Sequence, residues 1–284
     1  MVYHVLFNPL AGNGRCEKDA RNLDLFLPGD TLIFQDMTKI DSYEKFYAGI
    51  NPGDRILICG GDGTLNRFIN DAGAFVQKFP VYYFGAGSGN DFLHDLGKEK
   101  GTAPFCIDEY LKDLPRVEVN GQAHTFLNGV GYGIDGYCCE VGDQLRETSD
   151  KPVNYASIAI KGLLFHYKPT NAVITVDGQT HTYRHVWLAP TMHGRYYGGG
   201  MIPTPEQDRM GKDNFASTMV MYGSGKLKTL MIFPSIFKGA HTAHTDCVQV
   251  LTGKDITVTF DRPTAIQIDG ETIRNVTEYR VLTT

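Results

Sequence analysis

The chain has 284 residues, of which 42% are hydrophobic and 21% charged, a balance typical of a folded globular protein with more than one domain. Its net charge of −5 argues against a general nucleic-acid-binding protein. No uninterrupted apolar run reaches the 18 residues of a membrane span, and the N-terminus lacks the basic start of a signal peptide. The six cysteines form no C-x-x-C pair, which argues against a zinc site and favours reduced thiols. These features predict a cytoplasmic protein whose contact with lipid would be peripheral.

The first part of the chain alternates short apolar strands with helical periodicity. Residues 1–7 and 31–34 indicate strands, and the apolar residues between them are spaced as on one helical face. Residues 55–59 indicate a third strand, 65–72 a helix and 81–84 a fourth strand. Repeated strand, turn and helix predicts an α/β domain with a mostly parallel sheet.

After about residue 116 the pattern changes to β-hairpins. Asn120-Gly121, Asp177-Gly178 and Asp269-Gly270 each lie between alternating segments rich in β-branched residues. We therefore predict an α/β domain over 1–117 and a mainly antiparallel, β-sandwich-like domain over 118–275. The sequence leaves open whether residues 276–284 return to the first domain.

A helical stretch near 226–239 interrupts the β region. Lys226, Lys228 and Lys238 flank a run of apolar residues there. Two interpretations stay open, a core helix with solvated lysines and an amphipathic helix that faces a membrane. Residues 1–149 have a net charge of −8 and residues 150–284 a net charge of +3. The second value fits either ordinary surface variation or a face for anionic headgroups.

Glycine-rich turns follow three of the predicted strands. Gly60-Gly-Asp-Gly-Thr64 joins a strand to a helix, where glycines let the backbone approach phosphate and helix N–H groups point at an anion. An acidic Asp62 suits such a loop if Mg²⁺ or its waters intervene; the alternative is a tight turn with a helix cap. Residues 85–92 and 8–12 form two further turns, and parallel strands would place all three at one crevice. Neither a Walker A loop nor a dinucleotide fingerprint is present.

Several motifs together resemble a known family. They are Asn8-Pro-x-x-Gly12, Gly60-Gly-Asp-Gly-Thr64, Gly89-Asn-Asp-Phe92, Phe126-x-Asn128, Tyr197-Gly-Gly-Gly200-Met201-x-Pro203 and Asp269-Gly-Glu271. This set resembles the diacylglycerol kinase catalytic-domain family, and the bacterial soluble lipid kinases of the YegS/BmrU type in particular. The resemblance covers nearly the whole chain, although the Gly60–Thr64 motif alone is shared with NAD kinases.

The resemblance implies an ATP-dependent lipid kinase of phospholipid metabolism, with ATP bound between two domains of the NAD kinase/diacylglycerol kinase-like fold. It implies that Asp269 or Glu271 is the general base, and that Asp62, Asp91 and Asp135 organise Mg²⁺. It implies a structural Mg²⁺ held by Met210, Asp213 and Phe215. The residues that it implies for the nucleotide are Asn8, Pro9, Gly12, Thr38, Gly60, Gly61, Asp62, Gly63, Thr64, Asn66, Ser88, Asn90 and Asp91.

The resemblance leaves other functions open. The alternatives are a kinase of a soluble acceptor, as in NAD kinases, and a non-catalytic protein that binds nucleotide or lipid. The expected partners are a lipid substrate at the membrane surface and Mg·ATP, with no nucleic acid. A homodimer is an open option, and the identity of the acceptor lipid is not readable from the sequence.

Overall fold

The computed structural model describes residues 1–9, 16–87, 89–148 and 153–284. It divides the chain into two compact units, Met1–Lys112 and Asp113–Thr284. Each unit contains its own sheet.

The first unit is built on a five-stranded sheet of order β2-β1-β3-β4-β5. Its strands are β1 (Val2–Phe7), β2 (Thr31–Asp36), β3 (Arg55–Gly60), β4 (Val81–Gly85) and β5 (Phe105–Cys106). The first four strands pair in parallel, and only the short β5 is antiparallel to its neighbour. The carboxyl ends of β1 to β4 therefore lie at one edge of the sheet.

In the part of this unit that the structure describes, four α-helices connect or follow these strands. They are α1 (Cys16–Arg21), α2 (Tyr43–Ala48), α3 (Asp62–Ala72) and α4 (Asp91–Asp95), with 3-10 turns at Asn22–Leu25, Met37–Lys39, Gly73–Phe75 and Asp108–Leu111. The apolar positions expected on one face of α3, at Leu65, Phe68, Ile69 and Ala72, are all buried. Burial of that face, at about 25 cal/mol per Å² of apolar area, holds α3 in place.

The second unit contains a ten-stranded sheet in which every pair is antiparallel. Its strands are β6 (Arg116–Val119), β7 (Gln122–Thr125), β8 (Gly129–Tyr132), β9 (Thr170–Val176), β10 (Gln179–Val186), β11 (Thr191–Met192), β12 (Ala216–Met221), β13 (Val248–Gly253), β14 (Asp255–Ile268) and β15 (Glu271–Leu282). The parallel-then-antiparallel arrangement confirms the predicted fold class.

The helices of the second unit are α5 (Ile134–Thr148), α6 (Tyr155–Lys161), a π-helical turn (Gly162–His166) and α7 (Lys226–Ile232), followed by 3-10 turns at Phe233–Lys238 and Ala240–Ala243. α7 and the turn after it occupy the helical stretch that the sequence predicts. Among the helices of the described residues, none combines the length and apolar character that a membrane crossing needs.

The last strand belongs to the sheet of the second unit. β15 pairs along its length with β14 and at its end with β6, so residues 276–284 belong to the second unit. The Asp269-Gly270 hairpin fixes this placement, because it returns the chain directly along β14.

Candidate active site

The turn after β3 joins the strand to α3 without space for side chains. A Cβ atom on Gly60 would lie 2.4 Å from the Thr64 hydroxyl oxygen. Thr64 and Asn66 are buried, and the Tyr83 hydroxyl donates a hydrogen bond to the Gly60 carbonyl at 3.0 Å. The backbone at the start of α3 is therefore held close to the end of β3, as in a loop that cradles phosphate.

The turn after β4 packs directly against the first turn. A Cβ atom on Gly87 would lie 2.4 Å from the Gly61 Cα atom. The Ala86 amide also donates to the Gly60 carbonyl at 2.9 Å. This contact confirms that the two glycine-rich turns are neighbours, and it shows that glycine at 87 is needed for their close approach.

Asp62 joins the two turns through its carboxylate. One oxygen accepts a hydrogen bond from the Asp91 amide at 2.8 Å, and the other accepts one from the Phe92 amide at 2.9 Å. These amides belong to the first two residues of α4, where N–H groups lack partners within the helix. Asp62 thus caps α4, a role that the sequence interpretation did not include. The proposed contact of Asp62 with Mg²⁺ stays a prediction.

The other described nucleotide candidates lie at the same edge of the sheet. Asn8 and Pro9 follow β1, and Thr38 follows β2, where its amide and hydroxyl donate to the Asp36 carboxylate at 2.9 and 2.6 Å. Asn90 adopts a φ of 53° and donates to the Gly87 carbonyl at 3.0 Å. Gly12 and Ser88 lie outside the described residues.

The close contact between the turns gives a first prediction. Gly87→Ala is expected to force the turns apart, because its methyl group would overlap Gly61. If the turns hold Mg·ATP, as the family resemblance implies, its affinity should fall at least tenfold. The control is Gly49→Ala, since a Cβ there meets only the Phe46 carbonyl at 3.5 Å. Calorimetric titration measures both affinities, and equal binding by the two variants would contradict the role of this contact.

In the second unit, Asp269 lies in a hairpin turn, and its carboxylate is held by hydrogen bonds. Asp269 and Gly270 have φ values of 45° and 96°, as two-residue hairpin turns require. The Asp269 carboxylate accepts hydrogen bonds from the amides of Leu127, Asn128 and Gly129 at 2.5, 2.9 and 3.0 Å. Glu271, the first residue of β15, is exposed. The two candidate bases therefore differ: Asp269 is tied to the backbone, and Glu271 faces solvent.

A buried arginine supports the segment that holds Asp269. Arg209 donates to the Leu127 carbonyl at 3.2 Å and to the Asn128 side-chain oxygen at 2.9 Å. His193 approaches the Leu127 carbonyl through Nδ1 at 3.2 Å. Sequence reasoning missed Arg209, because a lone arginine gives no signal of the distant backbone segment that it contacts.

Asp135, in the first turn of α5, is a buried carboxylate. Among the described residues, neither of its oxygens has a hydrogen-bond partner of good geometry. Burial raises its pKa from 3.8 to about 6. Gly131 must lack a side chain, because a Cβ there would lie 1.7 Å from an Asp135 oxygen. A cation or its bound waters can satisfy a buried carboxylate whose oxygens lack hydrogen-bond partners. The surroundings of Asp135 are therefore compatible with Mg²⁺.

Asp135→Asn is expected to stabilise the protein at neutral pH. Because the folded pKa of about 6 exceeds the usual 3.8, charging Asp135 opposes folding as pH rises through this window. Metal-free protein with Asn should gain roughly 3 kcal/mol in free energy of unfolding at pH 7 and little at pH 3.5. Urea unfolding at several pH values measures this gain, and a loss of stability at pH 7 would contradict it.

The loop that carries the second set of metal candidates offers suitable oxygen donors. Asp213 is exposed, and the Phe215 carbonyl accepts a hydrogen bond from Gln207 at 2.7 Å. One carboxylate with two backbone carbonyls, those of Met210 and Phe215, is the hard-oxygen chemistry that Mg²⁺ prefers. Within the described residues no group of three or more His, Cys, Asp or Glu side chains could hold a metal. The Mg²⁺ at this loop stays a prediction.

Comparison with known proteins follows the same division of the chain. The diacylglycerol kinase catalytic domain matches residues 2–118, and the YegS C-terminal NAD kinase beta sandwich-like domain matches residues 128–281. A diacylglycerol kinase of Mycobacterium tuberculosis (strain CDC 1551 / Oshkosh) is 26% identical over 265 residues, which cover 85% of this chain and 84% of that protein. The crystal structure of a diacylglycerol kinase from Bacillus anthracis str. Sterne has the same fold, with a TM-score of 0.60 and 19% identity over 99% of this chain and 93% of its own. Since the YegS C-terminal domain alone matches more than half of the chain, and the diacylglycerol kinase catalytic domain matches the part before it, this protein belongs to the family of YegS-type diacylglycerol kinases.

Proposed function

We propose that the protein transfers the γ-phosphoryl group of ATP to the hydroxyl of diacylglycerol or a related lipid alcohol. The observation that carries the proposal is the packing of two glycine-rich turns against each other at the carboxyl edge of a parallel sheet. Turns of this kind present backbone N–H groups to phosphate oxygens. Membership in the diacylglycerol kinase family supports a lipid alcohol as the acceptor.

Each unit contributes a distinct function in this proposal. In the first unit, the backbone of residues 60–64 and 85–87 holds the phosphates, and Asp62 keeps both turns and α4 in register. In the second unit, Glu271 takes the proton from the acceptor hydroxyl. Asp269 positions the hairpin on which Glu271 lies, because three backbone amides occupy its carboxylate.

Glu271 is the better base for a physical reason. A base must reach the reacting hydroxyl, and its oxygens must be available to accept a proton. Glu271 is exposed, whereas protonation of Asp269 would cost hydrogen bonds to Leu127, Asn128 and Gly129. Mg²⁺, when bound, would neutralise charge on the transferred phosphoryl group. We propose that Asp91 in the first unit and Asp135 in the second each contact Mg²⁺ or its bound waters. The Asp213 carboxylate and the backbone carbonyls of Met210 and Phe215 would hold a structural ion.

An acceptor panel tests the proposal. Purified protein with radiolabelled ATP and Mg²⁺ is incubated with dioctanoylglycerol, a long-chain diacylglycerol in detergent micelles, sphingosine, NAD and a sugar phosphate. We expect label in the lipid phase. Label only in NAD would favour the soluble-acceptor alternative, and nucleotide binding without any product would favour a non-catalytic protein.

A further inference from the structure

An exposed apolar patch lies on two neighbouring helical segments of the second unit. Phe165 is 72% exposed on the π-helical turn, and Leu227 and Met231 are 73% and 81% exposed on α7. Leu227 and Met231 are four residues apart and so share one face of the helix. The Lys226 ammonium donates to the Leu164 carbonyl at 2.9 Å, which ties the two segments together. Large apolar side chains thus project into solvent from two segments that contact each other.

The opposite faces of the same segments are fully occupied by the core. Leu163 on the π-helical turn and Ile232 on α7 belong to one buried cluster with Trp187. The outward residues are therefore not a displaced part of the core, because core positions on both segments are already filled. Several large apolar side chains exposed on neighbouring segments are typical of a contact site.

The two segments that form this patch carry lysines and no carboxylate side chains. Residues 153–168 and 226–238 contain five lysines and no Asp or Glu, the lysines being Lys161, Lys168, Lys226, Lys228 and Lys238. Arg262 lies against the ring of Tyr167 and donates to the Lys168 carbonyl. The nearby acidic groups are engaged: Asp246 pairs with Lys228, Asp261 accepts hydrogen bonds from Thr170 and Asn171, and Glu140 pairs with Arg274.

We propose that this surface, formed by residues 160–168 and 226–231, docks on an anionic lipid bilayer. Apolar side chains would enter the headgroup boundary, while lysines contact lipid phosphates. Charge complementarity selects this occupant, since two copies of the lysine-rich surface would repel each other. This docking would bring the enzyme to its lipid substrate, and that purpose rests on the proposed function.

Vesicle sedimentation without ATP tests the docking. Full-length protein is mixed with vesicles of phosphatidylcholine alone or of phosphatidylcholine with phosphatidylglycerol. We expect binding to the anionic vesicles only, and release by salt. The double variant Phe165→Gln/Met231→Gln should lower the partition coefficient at least tenfold. Leu25→Gln, at an 80% exposed site in the first unit, is the matched control and should bind as the unaltered protein does.

The charged rim is tested in the same way. Lys161→Glu/Lys168→Glu should abolish preference for anionic vesicles, while Lys45→Glu, an exposed lysine on α2, should not. Equal binding by the patch variants and the unaltered protein would overturn the proposal. An absence of vesicle binding would also overturn it. In that case the patch could mediate self-association or bind an acidic protein.

Failure of docking is distinguishable from failure of the proposed function. All variants should keep their melting temperature and their activity on monomeric dioctanoylglycerol, because the changed residues are exposed. Vesicle binding by a protein that phosphorylates no lipid would refute the proposed function alone. Lipid phosphorylation that is insensitive to the patch variants, on vesicles and on monomeric substrate alike, would refute the docking alone.

Discussion

Glu271→Gln is expected to lower kcat by roughly 10² to 10⁴-fold, the usual contribution of a general base. Glutamine keeps the size of the side chain and cannot accept the proton. Because Glu271 is exposed and begins a strand, the melting temperature should stay unchanged. Steady-state kinetics with dioctanoylglycerol and Mg·ATP measure the loss, and KM for ATP should change little.

Asp269→Asn supplies the comparison. An asparagine amide group would face a backbone N–H where a carboxylate oxygen now accepts, so both stability and activity should fall. Loss of charge-assisted hydrogen bonds costs roughly 2–3 kcal/mol in free energy of unfolding. If Asp269→Asn lowered only kcat, and Glu271→Gln lowered neither kcat nor stability, the two residues would have the reverse of the functions proposed here.

Asp62→Asn is expected to lower both the free energy of unfolding and the affinity for Mg·ATP. The carboxylate accepts from two successive amides at the start of α4, and asparagine can satisfy only one of them. We expect a loss of roughly 2–3 kcal/mol in free energy of unfolding and at least tenfold weaker Mg·ATP binding. Urea unfolding and calorimetric titration measure the two effects.

The matched control for Asp62 lies on the same helix. Asp71 forms a surface ion pair with Arg67 at 3.1 Å, so Asp71→Asn removes an equal charge from α3 at little cost, within about 0.5 kcal/mol. If Asp62→Asn and Asp71→Asn had equal stability and equal affinity for Mg·ATP, the cap on α4 would contribute to neither property.

Periodicity and turn residues were sufficient to predict the fold. The parallel order of β1 to β4 follows from alternating strands and helices, and the Asp269-Gly270 dipeptide predicts the hairpin between β14 and β15. Adjacent parallel strands also explain why the contact between Gly61 and Gly87 could be anticipated, since neighbouring strands place their following turns side by side.

The partners of the site residues could not be predicted in this way. Whether Asp62 faces a metal or a helix N-terminus depends on the relative rotation of two turns, which only packing determines. The burial of Asp135 and the contact of Arg209 with Leu127 depend likewise on residues far apart in the chain. The expectation that the first-unit turns and the Asp269 hairpin line one cleft stays a prediction.

Transfer of isotope-labelled phosphate tests the central claim most directly. The protein is incubated with Mg²⁺, a lipid extract and ATP whose γ-phosphate oxygens are ¹⁸O, and the lipids are analysed by mass spectrometry. We predict a phosphorylated lipid that carries the labelled phosphoryl oxygens, with the ester oxygen unlabelled because it comes from the lipid alcohol. Glu271→Gln should form roughly 10² to 10⁴-fold less of this product in the same time. Two results would contradict the assignment as a lipid kinase. In the first, the label is found in a soluble product and not in lipid; in the second, ADP and labelled free phosphate are the only products.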